Sequence, residues 1–293
     1  MITVHIASIA ALTFLIGSSC SEAPAEAGTA ADSEGQSKGA APQYEGSVLY
    51  GRFCLSCHGE TGIGDGVSAT MLTIKPRDFT AGIFKFRSVV EGLPTDADLA
   101  RTIAKGIGGT EMSAYETLPP EAIDALVQHV KSLTVGNIEV ADEEEAQELP
   151  GLVEVIEDKG TFYARVNWFE LRGSGAPLVV GTPPKPTAEM VARGKELFEG
   201  IAACVTCHGK EGRGDGDAGK DLKDDWGFSI TPRNFTEDIL KGGDDLQDIY
   251  QRIMLGIPGT PMPASAELLG GPDDAWAIVY YVQKLRRKLY IPK

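Results

Sequence analysis

Four of the five cysteines stand in two pairs, and each pair is followed at once by a histidine: Cys54-Leu-Ser-Cys57-His58 and Cys204-Val-Thr-Cys207-His208. That spacing suits one chemistry above others. Two thiols so placed can add across the two vinyl groups of one porphyrin, and the adjacent imidazole is then held beneath the iron as an axial ligand. Rival chemistries account for less. A structural zinc could take the four thiolates but would leave both histidines without a role. A thioredoxin-type redox motif should follow a buried strand in a βαβ pattern, and neither copy does. Plain disulfides would not explain a histidine that follows twice. Two covalently attached haem c groups, each with its iron, are therefore the expected cofactors.

The elements that must position these motifs also come twice. Adding 150 maps Gly59, Gly62, Gly64, Asp65 and Gly66 onto Gly209, Gly212, Gly214, Asp215 and Gly216. It also maps Gly106-Ile107, Gly109-Thr110 and Met112 onto Gly256-Ile257, Gly259-Thr260 and Met262. Between these blocks Pro76-Arg77-Asp78-Phe79-Thr80 matches Pro232-Arg233-Asn234-Phe235-Thr236 at an offset of 156, so the second copy carries about six extra residues there. The glycine loops have no following Gly-Lys-Ser/Thr and no preceding strand, so they read as tight turns rather than phosphate cradles. Each copy opens on a helix with Gly and an aromatic on one face, Gly46 and Tyr50 or Gly194 and Phe198. Each closes on a clearer helix, Pro120 to Leu133 and Pro272 to Leu289, with Pro and acidic residues at its start. A third helix, Asp96 to Lys105 and Asp244 to Leu255, precedes each methionine block.

Over most of its length the chain resembles the class I c-type cytochromes in a two-haem form: Cys-x-x-Cys-His with a downstream Gly-Thr-x-Met, twice. The resemblance implies a mainly α fold of two tandem cytochrome c domains, in each of which a Gly/aromatic N-terminal helix crosses the C-terminal helix. It implies His58 and His208 as proximal iron ligands, with Met112 and Met262 supplied by distal loops. It further implies that the other histidine nitrogen meets the carbonyl of a proline, with Pro76 and Pro232 as candidates. Arg77 and Arg233 are candidates for holding haem propionates, which suit a guanidinium fork, or else are ordinary surface arginines. The competing sulfurs are Met71 and Met254, the latter on a helix face where core packing is the better reading. His129 falls where the second copy has Tyr281 and reads as a packing residue. Phe84-Lys85-Phe86-Arg87 either covers a haem edge or forms a short amphipathic strand.

Length and composition frame this reading. The chain has 293 residues, 42% hydrophobic and 24% charged, which suits roughly two globular domains. A net charge of −15 excludes nucleic acid as a partner, because phosphate binding needs a cationic face. Residues 1–19 read as a signal peptide, and no apolar run after residue 16 is long enough to span a bilayer. Cys20 resembles the lipid-modified cysteine of bacterial lipoproteins, the alternative being simple cleavage nearby. Residues 20–42 read as a flexible tether. The domains are expected at 43–135 and 187–293. The connector 136–186 holds a solvated acidic run, Asp142 to Glu145, and a β-hairpin over 152–169 around Asp158-Lys159-Gly160.

The function expected is electron transfer outside the cytoplasm, between redox protein partners whose docking faces are basic. Membrane contact would come through a lipid on Cys20. A His–Met pair suits a carrier rather than an enzyme, since the thioether favours reduced iron and both axial sites are filled. Two-haem peroxidases and haem-based sensors are the rivals, and both require a labile distal ligand. Both copies keep a Met 54 residues beyond the His. Lys284, Arg286, Arg287, Lys288 and Lys293 cluster at the C-terminus, either as partners of the helix dipole or as a second contact surface.

Overall fold

Two helix crossings organise the chain, one in each half. In the computed structural model, which describes residues 44–237 and 239–287, α1 (Gly46–Phe53) crosses α4 (Pro120–Leu133) and α7 (Ala188–Glu199) crosses α10 (Pro272–Leu285). Gly46 and Gly194 permit the approach, because a Cβ at either position would collide with the carbonyl oxygen of Ala125 or Ala277 on the partner helix. One turn on, Tyr50 lies 4.8 Å from the ring of His129, and Phe198 lies 5.3 Å from Tyr281. His129 is thus a packing residue, the counterpart of Tyr281. The signal peptide, Cys20, the tether, Lys288 and Lys293 lie outside the described residues.

Between the crossing helices run a one-turn helix carrying the Cys/His motif, α2 (Leu55–His58) or α8 (Val205–His208), and a longer helix, α3 (Asp96–Lys105) or α9 (Leu246–Leu255). α3 starts where expected, on a Thr95–Asp98 capping box. α9 starts two residues later than expected, because Asp245 keeps extended backbone as its N-cap. Apolar side chains from these helices fill one core per copy: Tyr50, Leu99, Ile103, Leu126 and Val127 in the first, Phe198, Tyr250, Trp276, Ile278 and Val279 in the second.

The segment between the copies is more structured than its sequence suggests. The hairpin is present as β2 (Leu152–Asp158) and β3 (Thr161–Asn167), with Lys159 and Gly160 both at positive φ as a two-residue hairpin turn requires. A strand that was not expected, β1 (Val135–Val140), leaves α4 directly and pairs with β3, giving an antiparallel sheet of order β1-β3-β2. The acidic run is not a solvated linker. Asp142 caps a short helix, α5 (Glu143–Gln147), whose carboxylates face water while Ala146 is fully buried against the sheet. The last turn, α6 (Trp168–Arg172), follows β3 and roots the sheet on the first copy: Trp168 Nε1 donates to Thr80 O at 2.8 Å, and Asn167 donates to Lys131 O. Residues 174–178 then run along 88–94 of the first copy, and Leu178 and Val180 enter the core of the second.

The described residues thus form ten α-helices and one small three-stranded sheet, and they pack into a single compact unit. None of the described helices is long and apolar enough to cross a membrane.

Candidate functional site

Each Cys/His motif is folded by its own backbone. In the first copy the amides of Cys57 and His58 reach back to Cys54 O, at 3.1 and 2.9 Å. The glycine loop then closes over the motif, Gly64 N donating to His58 O at 2.9 Å and Gly66 N to Cys57 O at 3.2 Å. The second copy repeats these bonds at Cys204, Gly214 and Gly216 with the same lengths for His208 and both glycines. The glycines therefore serve as the tight turns expected of them. Each imidazole is stacked on a phenylalanine, His58 on Phe79 at 4.7 Å and His208 on Phe235 at 4.5 Å.

His208 Nδ1 lies 3.4 Å from Arg233 O, and His58 Nδ1 faces the backbone of Arg77 in the same way but falls short of a hydrogen bond. The expected carbonyls of Pro76 and Pro232 are displaced by one residue. Those carbonyls are turned instead onto Gly64 and Gly214, where a Cβ would stand 2.8 and 2.5 Å away. Burial pushes both imidazoles below the usual histidine range, which keeps them neutral with a lone pair to give. Burial also pushes the Cys54 and Cys204 thiols up to about 11, and none of the four motif cysteines is in a disulfide.

The methionine loops are equally alike. Thr110 Oγ1 donates to Ile107 O at 2.7 Å and accepts from Met112 N at 3.2 Å; Thr260 does the same with Ile257 and Met262, at 2.7 and 3.3 Å. Ser113, which stands where the second copy has Pro263, leaves this pattern unchanged. In the first copy Cys54, Cys57 and His58 share one cavity with Met112, between apolar walls that include Phe79 and Leu126. Met71 is 80% exposed and Met254 packs into the second core, so neither competing sulfur joins the site. Phe84-Lys85-Phe86 lines the same cavity without forming a strand, Phe84 being stacked 6.0 Å from Phe79.

Four cations also line this cavity: Lys75, Arg77, Lys85 and, from the second copy, Lys241. Lys241 matches Lys85 at the 156-residue offset. The two arginines cross the boundary between copies in the same reciprocal way. Arg233 lies over Gly109, where a Cβ would stand 2.6 Å from its guanidinium, and Arg77 lies 3.0 Å from the corresponding position on Gly259. Arg77 is thus no ordinary surface arginine. Burial pulls its pKa down to about 10 against the opposing pull of Asp224, Asp225 and Asp78. Sequence reasoning found the arginines and Lys85 but missed Lys241 and Trp226, the latter lying 3.8 Å beneath the Arg77 guanidinium. Their signals were the 156-residue offset and the six-residue insertion that creates it.

Among the described residues no three His, Cys, Asp or Glu side chains converge on a point, so four thiolates around one zinc have no geometry here. The first cavity instead fits a flat apolar ring system. Its lining offers two thiols, a neutral imidazole, a thioether, and cations for the carboxylates of such a ring. Haem c has this chemistry, and the residues present fit it.

The cytochrome c family model matches residues 191–286, and the model for subunit III of the cbb3-type cytochrome c oxidase matches residues 41–130. Among solved structures, a chain of the Kuenenia stuttgartiensis reducing HAO-like protein complex is 35% identical. The match has a TM-score of 0.68 and covers 82% of this chain and 94% of that one. No curated protein matches.

Proposed function

The chain belongs to the c-type cytochromes, whose domains transfer electrons through haem, and from that premise we propose that it carries two haem c groups, one in each copy, and passes single electrons between redox proteins outside the cytoplasm. The observation that carries this reading is the grouping of Cys54, Cys57, His58 and Met112 around one cavity, with the same hydrogen-bonded motifs repeated in the second copy. When bound, haem iron supplies the one-electron chemistry. The protein's part is to hold and tune it. Cys54 and Cys57, with Cys204 and Cys207, give thioether attachment. His58 with Met112, and His208 with Met262, would hold the iron. Arg77 and Arg233 serve the carboxylate edges. Iron held by a histidine and a methionine in each copy would suit a carrier rather than an enzyme, because the soft thioether would favour the reduced state and no ligand position would be left for a substrate. The units holding the groups are residues 43–135 and 187–293, with 136–186 between them.

The Kuenenia neighbour is named as part of a protein complex, which supports working partners that are themselves redox proteins. With a net charge of −15, the docking face of such a partner is basic. A lipid on Cys20 would hold the exported protein at a membrane, and Cys20→Ala should then release it.

The test is ligation. The purified protein should contain two covalent haems per chain, and Met262→His and Met112→His should each keep the haem while sharply lowering the potential of one centre. A variant that titrates like the parent would remove that methionine from the ligand set.

A further inference from the structure

The two copies repeat their loops but not the surface those loops present. At an offset of 150, Ile63, Val67 and Met71 stand where the second copy has Arg213, Asp217 and Asp221, and Thr70 and Thr73 stand where it has Lys220 and Lys223. All of these side chains are exposed. The backbone beneath them is alike. Gly66 N donates to Cys57 O and Gly216 N to Cys207 O, each at 3.2 Å, and a turn of 3-10 helix follows, Ala69–Met71 or Asp217–Gly219. On the second copy the charges pair locally, Asp217 with Lys220 at 2.7 Å and Arg213 with Glu211 at 2.8 Å. On the first copy the same positions leave an apolar face, Val67 being 85% exposed and Met71 80%. Leu55, between the two motif cysteines, joins them, because Ser68 N donates to Ser56 O at 2.8 Å and lays the turn along the motif. Lys75 Nζ fixes that turn by donating to Ala69 O at 2.9 Å and Thr70 O at 3.3 Å. Leu72, next to Met71, lines the cavity, so the turn that carries the face is also part of the cavity wall.

We propose that this uncharged face, formed by Leu55, Ile63, Val67 and Met71, is where a basic redox protein docks, and that the corresponding face of the second copy takes no part in the contact. The proposal rests on the haem reading above. Exposed apolar side chains that cluster mark a contact surface, and the centre of an interface is poor in charge. A partner seated here rests against the backbone that wraps Cys54 and Cys57. Charge selects the occupant. A second chain carrying the same −15 is repelled, as is an anionic bilayer, whereas a basic protein is drawn in and then held by apolar contact. Glu60 and Asp65, both exposed on either side of Ile63, supply negative charge at the rim. Size agrees with a brief encounter: four side chains cover far less than the roughly 800 Å² per partner of a standard stable interface, and electron-transfer complexes fall at the small end of the range.

The experiment uses the full haem-loaded protein, with a small basic single-haem cytochrome c as the probe. Val67→Asn combined with Met71→Gln removes apolar surface without moving charge, and both side chains are already in water, so the fold should be untouched. The affinity of this variant for the probe, read from a chemical-shift titration of isotope-labelled probe, should fall by about tenfold, and the second-order electron-transfer rate should fall with it. The slope of that rate against ionic strength should stay the same. Asp217→Asn combined with Lys220→Gln dissolves the ion pair at the same place on the second copy at constant net charge, and should leave affinity and rate within about twofold of the parent. Parent-like binding by the first variant, an equal loss in both variants, or a parent that neither binds the probe nor exchanges electrons with it would overturn the assignment. So would a concentration-dependent dimer, or capture by phosphatidylcholine vesicles, that the first variant abolishes, since these give the face to a second copy or to a bilayer. Absence of two covalent haems would overturn the haem reading instead.

Discussion

His129 and Tyr281 fill the same place against the crossing glycine of their copies, and the choice of side chain has a measurable consequence. Burial holds the His129 imidazole below its ordinary pKa of 6.5, so it packs against Tyr50 in the neutral form. In the unfolded chain the same ring takes up a proton at higher pH. As pH falls below about 6.5 the unfolded state therefore binds more protons, and stability declines with pH. His129→Tyr, which copies the second half, should flatten the pH dependence of urea unfolding between about pH 5 and 7 relative to the parent. The Cys/His motifs were legible because the proposed covalent attachment dictates a spacing of only five residues. The arginines were legible as types, but the site each one serves depends on how the copies pack, which no local pattern encodes. Trp226 was hidden for the same reason, although the insertion that carries it was plain in the changed offset.

The helix crossings were readable from one glycine, one aromatic and a helical apolar stripe. They are also where the fold tolerates least change. Gly194→Ala would drive a methyl into the carbonyl of Ala277 between α7 and α10 and should cost about 3 kcal/mol in chemical denaturation, with Gly46→Ala behaving alike. The sheet was only half readable. β2 and β3 announce themselves through alternation around a Lys-Gly turn, but β1 continues straight from α4 and is only six residues long. α5 was misread because its glutamates all face water and a single small residue, Ala146, makes its buried contact. Of the C-terminal cations, read as partners of the helix dipole or as a second contact surface, Arg286 does something else. Arg286 is buried and its guanidinium meets Asp244 Oδ2 at 2.8 Å, so it holds α10 in place instead of meeting a partner.

At the scale of the molecule, the two halves are locked by an ion pair that neither half contains alone. Both guanidinium nitrogens of Arg101 on α3 lie 2.5 Å from the carboxylate of Asp248 on α9, which is almost wholly buried. Asp248→Ala should cost about 2 kcal/mol, the part exposure of Arg101 reducing what a fully buried pair would lose. A double-mutant cycle with Arg101→Ala, followed by urea unfolding, measures the coupling. The net charge acts over longer distances. Electron transfer with a basic redox protein should slow steeply as ionic strength rises, and a rate indifferent to salt would remove electrostatic steering.

The crossed arginines carry one more consequence. Arg77 reaches toward Gly259 and Arg233 toward Gly109, the self-complementary relation by which identical subunits meet across a two-fold axis. In a dimer of identical chains every substitution at such an axis appears twice, and an indole inserted on one side must find room on the other. A single chain holding both halves is released from that doubling. Each half can be altered without its twin, so a pair of like sites can diverge into an ordered pair, with a first and a second member.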